Sequence, residues 1–534
     1  MKPRMYWLAT FSLSILLAGV AHSHDEDENK GQGQLGKVSF QNSCDAKVQA
    51  QFTRGVAMLH SFWYSEGEKT FLDVLEKDPS CAIATWGVAS ILMSNPLGGV
   101  GASPKGAEQA LAIIEKGRRI GAKTPREREY IEAVAAYYED WSNRSERVRQ
   151  QARSKAYEAI AARYPQDDEA QIFSALYVAG TQLQSDQTYA AYLKAAAVLE
   201  KQFARHPEHP GVAHYLIHSY DAPPIAQQGL IAARRYAGIA PAAPHALHMP
   251  SHIFTRVGAW EESAATNARS AEAARKGGEA DESYHAGDYM TYAYLQLGRD
   301  RAARQTIDQS LQVSGASPAR ATAPYAIAAM NARYVSERGA WREAMQLQPQ
   351  DSKFPYAQAM THFARAIGAI RNGELAAAEI EADTLAKLHQ ALLAEKNAYW
   401  ANEVEIQRFA VAGWIALAQG KGDQALKLMR TAADNEDRSE KHIITPGRIV
   451  PARELLGEML LELKQPALAL KEFEASQLRE PNRFRGFYGA ASAAEAAGDK
   501  QKAAEYFGKL LELAKNADGT RPELARAKTY LAQR

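Results

Sequence analysis

Apolar residues along most of the chain recur every three or four positions, the period of a helix with one buried face. From about Pro207 onward the pattern comes in pairs. A helix carrying small and aromatic residues is followed by a turn, often centred on glycine, and then by a second helix that ends near proline. Alanine-rich stretches at residues 271–274 and 490–497 add strong helix propensity. Convincing runs of alternating β-branched residues bounded by turns are missing. The pattern predicts an all-α chain.

The clearest unit spans residues 244–274. It contains His252-Ile253-Phe254, then Arg256-Val257-Gly258-Ala259-Trp260, then Ala264, Ala265, Asn267 and Ala271. The outline returns at residues 292–307, 413–426, 455–469 and 488–507, while Pro79, Pro165, Pro207 and Pro241 mark the ends of second helices upstream. In these residues the chain resembles tetratricopeptide-repeat (TPR) proteins, most closely from Pro207 to the end. That resemblance implies a TPR-like α-solenoid, a superhelix of about ten helical hairpins that bury their faces against one another. Residues 95–104, 314–318 and 435–451, rich in Gly, Pro, Ser or charge, are expected as long loops between helices.

The N-terminus changes the picture of where the chain works. Lys2 and Arg4 precede an uncharged stretch that gives way to Ala21-His22-Ser23, the form of a secretory signal at residues 1–23, with cleavage after Ser23 or Ala21. The apolar run is short for a membrane span. A periplasmic or secreted protein with no stable membrane insertion after cleavage is expected. Residues 24–38, acidic and then Gly/Gln-rich, read as a disordered leader. Residues 39–206 read as degenerate helical repeats, 207–312 as a histidine-rich TPR segment and 313–534 as C-terminal TPR repeats.

Composition excludes little else. Apolar residues make up 46% and charged residues 23%, and 63 Lys+Arg balance 62 Asp+Glu. With no long basic stripe, nucleic acid is not an expected partner. The two cysteines, Cys44 and Cys81, both fall in the first mature segment. In an oxidising compartment they are expected to form a disulfide between the first and second helical pairs.

The histidines carry the candidate chemistry. Seven of the fourteen lie between His206 and His252. His214, His218 and Asp221 fall at i, i+4 and i+7 on one predicted helix. His245, His248 and His252 fall at i, i+3 and i+7 on the next, each set forming one stripe. Aligning the units on Pro207 and Pro241 gives an offset of 34, a TPR length, and maps His214 to His248 and His218 to His252. Aligning on Gly258 and Gly298 maps His245 to His285 and His248 to Asp288. Neighbouring first helices could then point imidazoles into one space, suiting Zn, Cu or Fe better than Ca or Mg, and six imidazoles could hold two ions. Pro250 is expected to kink the second helix and turn His245 away from His252. His60, His206, His209 and His442 read as packing or loop residues.

The phrases at residues 214–221 and 244–254, with Cys44, residues 60–64, 78–81 and 451–457, resemble a group of exported bacterial TPR proteins. That resemblance implies architecture and no particular reaction. Phosphate-loop, nucleophile-elbow and zinc-protease motifs are missing. The function expected is a scaffold taking a protein or peptide on its concave surface, with a transition-metal site between adjacent repeats. The alternative is a metal-dependent hydrolase or oxidoreductase, or a metal carrier, using the same histidines.

Overall fold

A computed structural model describes residues 34–317 and 319–533. The expected signal peptide and residues 24–33 of the expected leader lie outside the described residues. Those described form twenty-six α-helices, short 3-10 turns and no strand. Local chemistry starts many of them. Ser103, Thr124 and Ser145 cap the helices Pro104–Ile120, Pro125–Tyr138 and Glu146–Arg163 by accepting from the backbone N–H three residues on. Proline opens the helices Pro104–Ile120, Pro125–Tyr138, Pro210–Ser219 and Pro355–Arg371, where its missing N–H costs nothing.

Each helix packs on the next, and alternate helices also meet: Asp168–Ala179 on Pro210–Ser219, Ala280–Gln296 on Thr322–Glu337, and Thr322–Glu337 on Pro355–Arg371. This is the TPR-like α-solenoid. Taking Pro244–His248 and Pro250–Arg256 as one interrupted helix, there are twelve hairpins and a final helix, Pro522–Ala532, rather than about ten.

Cys44 and Cys81 form a disulfide with Cα atoms 4.7 Å apart. It ties the segment before Gln49–His60 to the turn before Ala84–Leu92. Within the leader expected to be disordered, Leu35 is buried, Gln34 O accepts from Ala242 N, and Lys37 N donates to Glu208 O. Residues 34–37 therefore belong to the packed body.

One large apolar core runs from Leu35 to Phe254 and a second from Tyr325 to Ala503. Two smaller apolar clusters lie largely between them in sequence, and polar side chains are buried in the same stretch: His248, His252, His285, Asp288 and Gln296 are all inside. The chain also folds back here. Phe484–Ala496 meets Ala280–Gln296, Trp260 Nε1 donates to Asn482 O at 2.7 Å, and buried Arg483 pairs with Glu337 and Glu454 at 2.6 and 2.7 Å. Gly258, at φ +69°, is the turn glycine of its repeat, and a Cβ there would lie 2.6 Å from Pro481 O.

The long loop after Gly422–Asp437 crosses the face made by the first helices of these repeats. Lys441 reaches Asp221 at 3.4 Å, and Tyr289 OH donates to Thr445 O at 3.0 Å. Arg333 Nη2 donates to Gly447 O at 2.9 Å. Part of the surface on which a protein or peptide was expected is thus covered by the chain's own loop.

Candidate metal centre

Three stretches of helix build the site. Pro210–Ser219 starts under a His209 cap whose Nδ1 accepts from Val212 N at 3.3 Å, and its 3.6-residue turn stacks His214 and His218 on one face. The next first helix breaks at Met249, because Pro250 offers no N–H, yet Met249 keeps helical angles of −51° and −37°. The break jogs the helix without redirecting it. His248 and His252 therefore still share a face. Ala280–Gln296 contributes His285.

These helices gather six imidazoles into two trios. In each of the sets His214, His218, His245 and His248, His252, His285, one nitrogen from every ring lies within 4.8 Å of the other two. Both trios are built alike: an i, i+4 pair from one first helix, and one histidine from the first helix of the following repeat. They touch, with ring centroids 5.4 Å apart between His218 and His252 and 5.9 Å between His245 and His248. His245 joins the first trio and not His252, from which it is about two helical turns away.

Four of the rings are held by their Nδ1 atoms. His214 Nδ1 donates to the His60 carbonyl at 2.7 Å, His245 Nδ1 to Glu282 at 3.2 Å, and His252 Nδ1 to Asp221 at 2.8 Å. Carboxylates and carbonyls only accept, so these nitrogens carry the hydrogens. His248 Nδ1 donates to Asn267 Oδ1 at 2.7 Å, and Asn267 Nδ2, which donates to Ser263 O, fixes the amide orientation. In a neutral ring each Nε2 is then a bare lone pair. His248 and His252 point theirs at one another across 3.0 Å. Nε2 of His214 and His245, and both nitrogens of His218, are buried without a partner.

Burial pushes five of the six rings toward the neutral form. Burial brings the His248 imidazole down to about 3, with His252 adding to the effect. Burial likewise holds His214, His218 and His285 well below the ordinary histidine value, each reinforced by its neighbouring rings. His252 is also lowered by burial, with Asp221 pulling the other way. For Asp221 itself, burial pushes upward, but Lys441, Arg256 and His252 outweigh it and keep the carboxyl well below its usual range.

An aromatic ring walls each trio. Phe62 lies 4.4 Å from the His214 ring and 5.5 Å from His245, at the strained φ of +53° that closes Gln49–His60. Tyr289 lies 4.7 to 5.2 Å from all three rings of the second trio. Solvent comes nearest at His245 and Glu282, whose side chains are 13% and 21% exposed.

Two expected ligands stand elsewhere. Asp221 is behind His252, shared with Arg256 at 2.8 Å and Lys441, and faces a ring rather than a metal position. Asp288 turns to Arg333 at 3.2 Å, with its carboxyl raised to about 6 by burial against the pull of that guanidinium. His60 supplies its carbonyl, while its ring joins Glu169 and His209 in a separate group. There every ring nitrogen is spent: His60 on Tyr215 and Glu169, His209 on Glu169 and Val212 N. His206 pairs with Asp168, and His442 bonds Gly98 O. Sequence reasoning missed Asn267, Glu282, Phe62 and Lys441. Only Glu282, one helical turn before His285, carried a readable signal.

No family model and no curated protein matches the chain. Among solved structures, a tetratricopeptide repeat protein from Parabacteroides merdae is similar at 13% identity and a TM-score of 0.29, over 54% of this chain and 97% of its own. The APC/C hetero-tetramer Cut9-Hcn1 is similar at 12% identity and a TM-score of 0.29, over 91% and 96%. The human IFIT1 dimer with m7Gppp-AAAA is similar at 15% identity and a TM-score of 0.38, over 77% and 87%.

Proposed function

We propose that this is an exported helical-repeat metalloprotein holding two transition-metal ions, one in each histidine trio. The observation that carries this reading is the 3.0 Å approach of the His248 and His252 Nε2 atoms, each ring having committed its Nδ1 hydrogen elsewhere. Two bare lone pairs at that distance repel. A shared proton would make an imidazolium where burial opposes one. A metal ion about 2.0–2.1 Å from each nitrogen would turn the repulsion into two bonds and span a nitrogen–nitrogen edge of about 3 Å.

Asn267, Asp221, Glu282 and the His60 carbonyl then act from behind the rings, fixing the tautomer and raising the basicity of Nε2. Zinc, copper and iron all accept imidazole. Export is supported by the Cys44–Cys81 disulfide and by the sequence of residues 1–23. A protein- or peptide-binding role is supported by the repeat architecture, although the loop at residues 438–451 occupies part of the inner face.

Metal analysis of untagged protein tests the reading. Wild type reconstituted and desalted should retain two ions per chain. The double variants His214→Ala/His218→Ala and His248→Ala/His252→Ala should each retain one, with helical circular dichroism preserved. Wild type that keeps no metal, or folded variants that keep both ions, would refute it.

A further inference from the structure

We infer that the two ions are monovalent copper and that the ligand of the pair is dioxygen, an inference that rests on the two-ion reading above. Charge in a buried place decides the oxidation state. Six neutral imidazoles bring no charge. The carboxylates hydrogen-bonded to the rings are Glu282, on His245, and Asp221, on His252. Asp221 is already shared by Arg256 at 2.8 Å and Lys441 at 3.4 Å, so it has little left to give. His214 and His248 lean on a carbonyl and an amide, which are uncharged. Two divalent ions would place four positive charges here against one uncommitted carboxylate, and an interior that cannot hydrate them penalises that heavily. Two cuprous ions halve the load. Imidazole is a ligand that copper accepts.

The same arithmetic selects the partner. Each cuprous ion can give one electron to dioxygen: the O–O bond falls from double to single, two Cu–O bonds form, and both ions become divalent. The metals gain two positive charges as the oxygen molecule becomes a dianion, so the net charge of the centre is unchanged. No proton and no outside reductant is needed. The surrounding charges therefore balance the oxygenated pair as well as the reduced one. Size points the same way. His214 and His248 are fully buried and His252 and His218 are 1% and 2% exposed, so a ligand that reaches both trios must be small. The Phe62 and Tyr289 rings wall it, and His245 with Glu282 marks the side of entry.

The test loads metal-free, untagged protein with copper(I) under nitrogen, removes unbound metal, and titrates with dissolved oxygen. Two copper ions per chain, uptake of one O2 per two coppers, a strong new near-ultraviolet absorption and no paramagnetic-resonance signal are expected. His248→Ala/His252→Ala should keep one copper and lose that uptake, because one ion supplies only one electron. Two bound copper ions that ignore oxygen, or that oxidise to isolated paramagnetic Cu(II), would overturn the inference and leave the two-ion site standing. So would retention of two zinc ions by protein that releases cuprous ions. Protein that retains no metal at all would overturn both.

Discussion

His218 shows what this interior tolerates. Its ring is buried and neither nitrogen has a partner, a state that costs about 1–3 kcal/mol for each polar group left unmade. Five of the six rings are pushed toward the neutral form, which makes the metal-free protein acid-sensitive in a definite direction. In the unfolded chain histidine takes up a proton near pH 6.5, whereas the folded rings resist until far lower, His248 to about 3. Their contribution is whole above about pH 6.5 and is lost as pH falls below it, by up to about 1.4 kcal/mol per pH unit for each such ring. Thermal melts of metal-free protein between pH 7.5 and pH 4.5 should therefore show Tm falling steeply below about pH 6.5. His218→Phe should flatten that fall, and a slope identical to wild type would contradict the assignment. At this scale the sequence was partly readable. The i, i+4 spacings of His214 with His218 and His248 with His252 put each pair on one face through helical periodicity alone. The acceptors behind the rings were not readable, because Asn267, Glu282 and the His60 carbonyl come from other helices.

Between elements, the repeat offset matched His214 to His248 and His218 to His252, and the structure shows why it fell short of the geometry. Those four do not form one set. Each pair is completed by a histidine of the following repeat, His245 or His285. Gly211 also bears on the first trio. It stands one repeat before His245, and a Cβ there would fall 2.3 Å from Nδ1 of the buried His60 ring. That ring is fixed by Tyr215 and Glu169, and its backbone carbonyl receives His214. Gly211→Ala should thus destabilise the fold by about 1–3 kcal/mol, read from urea denaturation, through overpacking rather than helix propensity. A stabilised variant would show that the His60 ring moves freely, and that the first trio is not held from behind as described.

For the whole molecule, helical hairpins were legible from periodicity and turn glycines, because those signals are local. Closure was not. Arg483 meets Glu337, Trp260 meets Asn482 and Lys441 meets Asp221 across 146 to 222 residues of chain, and such pairings are set by superhelical pitch rather than by any motif. The consequence is functional. The solenoid folds its own loop over the first helices of these repeats, and the imidazoles pack against aromatic rings of the first apolar core and Tyr289. The central claim is that these histidines hold two ions in separate, adjacent trios. An anomalous-scattering map, collected at the absorption edge of the retained metal on crystals of loaded protein, tests it most directly. Two peaks are expected, one bonded at about 2.0–2.1 Å to His214, His218 and His245, the other to His248, His252 and His285. A map with no peak among these rings, or a single peak outside both trios, would contradict the account.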